Sequence, residues 1–231
     1  MPTSNLGSRV AIAVIVVFIA WTTVRGLAAR PPAVPNIPFP IPAVDAPKSS
    51  APSTATAILA GGCFWGVQAV FQHLQGVISA TSGYTGGFVK SPGYETVSSG
   101  ASGHAESVRV VYDPSKISYG QVLMIYFSVA HDPTQWNRQG PDTGSQYRSA
   151  VFYSTPEQKQ IAESYIAQLN AAKAYSRPIV TKVQPFDAFY PAEEYHQDYL
   201  KNHPRDPYIV FNDLPKLGRL KAEFPSLYKD F

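Results

Sequence analysis

A single cysteine, Cys63, stands in a chain of 231 residues. One thiol excludes an internal disulfide, a Cys-x-x-Cys redox pair and a multi-cysteine zinc site, so any disulfide must join this chain to another molecule. Charge is sparse too: 15% of the residues carry it, and the net balance is only +3. The basic residues are scattered rather than gathered along one stripe, which removes the electrostatic footprint of a nucleic-acid binder. Long apolar runs are lacking as well. The best candidate spans 10–21. Even carried on to Val24, it falls short of the roughly 20 residues that a membrane-crossing helix requires. There is no internal repeat.

What is present divides the chain into three. Arg9 with the free amine, the apolar run and the small residues Gly26-Leu27-Ala28-Ala29 follow the order of an export signal. Residues 1–29 are therefore assigned to a signal peptide or N-terminal membrane anchor, and an exported, periplasmic location is expected. Residues 30–56 hold Pro31, Pro32, Pro35, Pro38, Pro40, Pro42, Pro47 and Pro52 among alanines and serines. Repeated proline removes backbone donors and favours extended geometry, the composition of a linker. Residues 57–231 remain for one folded domain of ordinary size.

Within that domain a short apolar run predicts a strand over 57–60, and Val67, Val70, Phe71 and Leu74 predict a helix over 64–74. A strand over 76–80 follows, then a glycine- and proline-punctuated loop over 83–103. The alternating β-branched run 107–112 predicts a strand that Asp113-Pro114 ends. Ser118 can cap a helix reaching Ala130, and a strand is predicted over 148–153. Thr155-Pro156 then opens a helix carried by Ile161, Tyr165, Ile166 and Leu169. A further strand is predicted over 179–183 and a short helix over 191–200, while 202–231 reads as mixed coil with little pattern. Some neighbouring strands lack a helical crossover between them. The fold class is therefore α+β, a two-layer sandwich with a mixed sheet and flanking helices.

Cys63 lies in Gly62-Cys63-Phe64-Trp65-Gly66, where a strand hands over to a helix. The positive end of a helix dipole favours thiolate over thiol there. The competing reading is a buried cysteine acting as a small hydrophobe. Glu106, in Gly103-His104-Ala105-Glu106 before an apolar strand, can be desolvated and kept protonated near neutral pH as a general acid, or be an ordinary solvated carboxylate. The polar and aromatic stretch 131–148 is too long for a plain connector, and Trp136 and Tyr147 argue for order. Glu193 and His196 are metal-ligand types at helical spacing without a convergent third ligand, so no metal is expected; a solvent-facing helix burying Tyr195 and Tyr199 is the preferred reading. A histidine base, His104 or His196, would instead make Cys63 the nucleophile of a hydrolase. A non-catalytic peptide-binding module is a third reading.

Taken together, Gly62-Cys63-Phe64-Trp65-Gly66, Gly83-Tyr84, Tyr94-Glu95, Gly103-His104-Ala105-Glu106, His131-Asp132-Pro133-Thr134, Gln146-Tyr147-Arg148-Ser149 and Tyr195-His196-Gln197-Asp198-Tyr199-Leu200 closely resemble the peptide methionine sulfoxide reductase A family over residues 57–201. The resemblance implies a ferredoxin-like core and repair of oxidised methionine, free or in proteins, with preference for the S epimer of the sulfoxide. It implies Cys63 as the nucleophile that becomes a sulfenic acid, and Glu106 as the acid that protonates the sulfoxide oxygen. Tyr94 and Tyr147 match the hydrogen-bond donors to that oxygen, Phe64 and Trp65 the walls around the S-methyl group, and Asp142 a polar residue beside them. No bound cofactor is implied, and a monomer is expected. The chain departs from relatives that resolve the sulfenic acid internally, because its tail holds no cysteine and Ser98 stands where some relatives have one. Its reductant must then be an external thiol, a thioredoxin-like protein or a small molecule.

Overall fold

The computed structural model describes residues 39–230, so the export signal and the first part of the linker lie outside the described residues. Among the described residues no helix is long and apolar enough to cross a membrane. The chain runs β1 (Ala55–Gly61), α1 (Phe64–Gln72), β2 (Val77–Thr85), α2 (Tyr94–Ser98), β3 (Ala105–Tyr112) and α3 (Tyr119–Ile125). A two-residue hairpin of β4 (Arg138–Gln139) and β5 (Asp142–Thr143) precedes β6 (Ser149–Tyr153), α4 (Pro156–Ala171), β7 (Lys182–Pro185) and β8 (Phe189–Pro191). The chain then closes with α5 (Tyr199–Asn202) and α6 (Leu214–Glu223).

The main sheet has the order β7-β6-β1-β3-β2-β8. β6 and β7 are parallel, and every other pair is antiparallel. Its central part, β1-α1-β2-β3-α3-β6 in the spatial order β6-β1-β3-β2, is the ferredoxin-like split βαβ arrangement. The expected α+β class with a mixed sheet is therefore what the chain forms.

Two-residue periodicity sorts the strands' side chains onto two faces. Ala57 and Leu59 of β1 and Val108, Val110 and Tyr112 of β3 join the larger core, where α1 adds Phe64, Val67, Val70 and Phe71. Ile58 and Ala60 of β1 turn to the opposite face with Ala105, Ala150 and Phe152. Each fully buried Val, Leu, Ile or Phe contributes about 1.5–3 kcal/mol, so this alternation fixes the register of β3. One consequence reaches the site: Glu106 shares the parity of Val108 and Val110 and faces the helical layer. α3 begins with a capping box, in which Ser118 accepts from the Gln121 N–H and the Gln121 side chain accepts from the Ser118 N–H. A π-helical turn, Tyr126–Ala130, continues it to the predicted end.

Several elements differ from the sequence reading. β2 runs on to Thr85, paired with β3 along its length and with β8, remote in sequence, from Gly83 to Thr85. The helix predicted over 191–200 breaks into the end of β8, a 3₁₀ turn Glu194–His196 and α5, since Asp198 takes a left-handed φ of 55°. The strand predicted over 179–183 forms a little later, as β7. The tail is not coil: α6 packs Leu217 and Leu220 onto the core beside α1.

The second half of the presumed linker is also docked. Tyr165 donates to the Pro40 carbonyl at 2.6 Å, and Gln168 bonds the Ile41 carbonyl and the Ala43 N–H. Asp45 accepts from the Gly120 N–H at 2.6 Å and from the Ser118 hydroxyl. Proline-rich chain keeps its carbonyls free, and α4 donates to two of them while the start of α3 donates to the Asp45 carboxylate.

Candidate active site

Cys63 is the N-cap residue of α1 and only 8% exposed. It is held there by Gly62, whose φ of +86° suits glycine. A Cβ on Gly62 would also collide with the Gln139 side chain. The thiolate expected from the helix dipole is not the resting state. Burial pushes the thiol well above its ordinary value, Glu106 and Asp213 push it further, and the Trp65 N–H and the Lys216 ammonium oppose them. A helix terminus is worth about 0.3–1 kcal/mol at an exposed site, less than the desolvation of a buried sulfur anion.

Glu106, 3% exposed at the start of β3, receives the Phe64 N–H on Oε2 at 3.0 Å. The first turn of α1 is thereby tied to the carboxyl that β3 turns toward the helical layer. Burial pushes this carboxyl up to about 8, against that N–H and with help from the Asp142 charge. That direction favours the protonated carboxyl at neutral pH, one of the two readings its sequence setting leaves open.

The two tyrosines converge on the same spot. Burial raises the Tyr94 phenol, and the next contributors are Glu106 and Cys63. Tyr147 is raised by burial, Glu106, Asp142 and Cys63. Both phenols stay protonated and able to donate. Tyr147 arrives on the long polar stretch, which is ordered as argued from Trp136 and Tyr147: Asp132 accepts from the Thr134 N–H, the Thr134 hydroxyl and the Gln135 amide. Asp142, on β5, accepts from the Tyr208 hydroxyl. Phe64 is buried, while Trp65 stacks on Tyr199 with ring centroids 3.7 Å apart and takes the edge of Tyr208 at 5.8 Å.

His104 and His131 are fully occupied, while His196 Nε2 has no hydrogen-bond partner among the described residues. Both ring nitrogens of His104 bond backbone, the Gly87 N–H and the Val89 carbonyl. His131 bridges the Tyr126 carbonyl and the Ser149 hydroxyl, and burial brings it down to about 4. His196 Nδ1 accepts from the Trp65 indole at 3.2 Å, which leaves its proton on Nε2. None is arranged as a base for Cys63. Glu193 is taken up by the Tyr84 hydroxyl and the Tyr94 N–H. Among the described residues no three metal-binding side chains come together. The preferred reading of 191–200 as a helix burying Tyr195 is also corrected: His196 is 3% exposed and Tyr195 60%, because the 3₁₀ turn aims the imidazole at Phe64, Trp65 and Tyr94.

Residues 55–226 match the family described as peptide methionine sulfoxide reductase. The chain belongs to that family. A relative from Mesorhizobium japonicum, peptide methionine sulfoxide reductase MsrA 2, is 60% identical over 79% of this chain and 94% of its own length. The MsrA 2 of a Synechocystis strain is 49% identical over 84% of this chain and 90% of its own. Among solved structures, methionine sulfoxide reductase A of Corynebacterium diphtheriae superposes with a TM-score of 0.59 at 34% identity, covering 72% of this chain and 87% of that one. Reduced Mxr1 of Saccharomyces cerevisiae gives the same TM-score at 29% identity, over 68% and 92%.

For a methionine sulfoxide reductase, then, Cys63, Glu106, Tyr94, Tyr147, Phe64, Trp65 and Asp142 form one neighbourhood assembled from α1, β3, α2 and the 138–148 stretch. Tyr208, Asp213 and Lys216 belong to it as well and were not expected, since 202–231 read as coil. Asp213 followed by Pro215, with Leu214, Leu217 and Leu220 at helical spacing, is a helix-start signal that could have revealed α6. Nothing in sequence marks Tyr208.

Proposed function

We propose that Cys63 takes the oxygen of a methionine S-sulfoxide while Glu106 supplies the proton its oxygen needs. The protein is a peptide methionine sulfoxide reductase, an oxidoreductase of protein repair; the roles of individual residues are our reading. The observation that carries them is a neutral, buried carboxyl pushed up to about 8, bonded to the N–H next to the only cysteine. A sulfoxide is a poor electrophile until its oxygen is protonated, so a carboxylic acid and two protonated phenols beside one thiol fit that demand. Cys63 sulfur attacks the substrate sulfur, the S–O bond of the protonated oxygen breaks, and as the cysteine sulfur takes up the hydroxyl the new S–S bond breaks, releasing methionine and leaving Cys63 as a sulfenic acid. The substrate sulfur gains two electrons and the cysteine loses them. Tyr94 and Tyr147 donate to the oxygen, Phe64 and Trp65 enclose the methyl group, and Asp142 polarises the pocket beside them.

The sulfenic acid is then reduced from outside. One external thiol condenses with it to a mixed disulfide and water, and a second thiol releases Cys63. A thioredoxin-like protein or a small thiol is the donor class, a reading supported by the absence of any second cysteine in the sequence. The enzyme works as an exported monomer, periplasmic, released from its signal or tethered by it; the support is the Arg9, apolar-run and small-residue order of 1–29.

Replacing Cys63 by Ser abolishes reduction of an S-sulfoxide substrate. Glu106→Gln lowers kcat/KM about 10²–10⁴-fold, the range for loss of general acid catalysis, with an unchanged circular dichroism spectrum. Sustained turnover by the Cys63 variant would refute the assignment.

A further inference from the structure

Asp213 is the N-cap residue of α6, where an aspartate ordinarily accepts from the free N–H groups of the first turn, yet its side chain makes no such bond. Its Oδ1 instead meets Lys216 Nζ at 3.0 Å. The carboxylate is fully buried, and its Oδ2 has no hydrogen-bond partner among the described residues. Lys216 also sits against expectation, since a cation in the first turn of a helix opposes the macrodipole. Neither residue serves α6. Both press on α1 at Gly66, one turn beyond Cys63 and on the same face. A Cβ on Gly66 would stand 2.7 Å from Lys216 Nζ and closer still to Asp213 Oδ1.

We propose that the Asp213–Lys216 pair positions a fixed cation that controls the ionisation of Cys63, with Lys216 stabilising the thiolate and Asp213 both anchoring the ammonium and limiting its effect. This rests on Cys63 being the nucleophile. It answers a need set by the site itself: burial holds the sulfur protonated, the helix terminus is too weak to reverse that, and among the described residues no histidine hydrogen-bonds the sulfur. The other charged groups around the sulfur do not supply the cation. Glu106 is an acid on the β3 side and Asp142 an acid on the hairpin side, and Asp142 is itself steadied by Lys216. His131 also faces Lys216 and is neutral. The phenols of Tyr94, Tyr147, Tyr199 and Tyr208 are all raised by burial and do not ionise near neutral pH.

The test is the pH dependence of iodoacetamide alkylation at Cys63 in the full chain, compared with Lys216→Met, Lys216→Arg and Asp213→Asn. Lys216→Met is expected to move the midpoint up by about one pH unit and Asp213→Asn to move it down by about as much, the lower end of the range for a close charge. Lys216→Arg is expected to stay near the parent. Shifts of the two neutralising variants in the same direction, or no shift in Lys216→Met, would overturn the proposal. If Asp213→Asn does not fold, Met against Arg at position 216 decides, since a packing role would not separate them by charge. Alkylation reads the thiol and not turnover, so a failure here is distinct from retained activity in Cys63→Ser.

Discussion

Glu106 and Cys63 compete for one low-dielectric space, and pH reports which of them holds a proton. The Glu106 carboxyl moves from 4.5 to about 8 on folding. Above pH 8 it becomes an anion that can no longer protonate a sulfoxide and that also repels a thiolate. The descending limb of kcat/KM is therefore expected to follow one ionisation near pH 8 and to vanish in Glu106→Gln. Stability follows the same group. Between pH 4.5 and 8 the unfolded chain binds fewer protons here than the native one, so stability falls as pH rises through that window, by at most about 5 kcal/mol. Urea unfolding of parent and Glu106→Gln at pH 5 and pH 9 measures this, and the variant is expected to lose most of the slope. In sequence the place of Glu106 before an apolar strand leaves its role open, and it is the family resemblance that singles it out. That it is protonated was only one of two readings, because desolvation depends on Phe64, Asp142 and the helical layer, none of which is its neighbour in sequence.

At the scale of elements, the parts legible in sequence are those whose partners are close by or whose periodicity is strong. β1, α1, β3, α3 with its Ser118 cap, β6 and α4 fall into that group. β2 extends past the run that reads as a strand because residues 81–85 pair with β3 and 83–85 also with β8, both remote in sequence, and 191–200 reads as a helix because a left-handed Asp198 leaves no trace in hydrophobic spacing. α6 carried a usable start signal in Asp213 and Pro215. The strap 39–54 carried none: its carbonyls bond Tyr165 and Gln168, and proline-rich composition says only that carbonyls are free. Because Asp45 bonds the first turn of α3 from 75 residues away, Asp45→Ala is expected to lower stability by about 1 kcal/mol, the usual worth of a capping side chain. Thermal unfolding of a chain beginning at residue 39 checks this, and an unchanged Tm would show that the strap contributes nothing there.

The described residues form a ferredoxin-like sandwich in which the site is completed from both ends of the domain, α1 and β3 near its start and 206–216 near its end. That closure surrounds a solitary cysteine with neutral donors, aromatic rings and one buried ion pair. The chemistry this permits is half a cycle, oxygen transfer to Cys63, followed by dependence on a thiol from elsewhere. The most direct test is a single turnover of the full chain on a peptide S-sulfoxide without reductant, with methionine quantified and the Cys63 peptide examined by mass spectrometry after sulfenic-acid trapping. The account predicts one methionine per chain and one oxygen on Cys63. Methionine formed in that yield with Cys63 unmodified would contradict it.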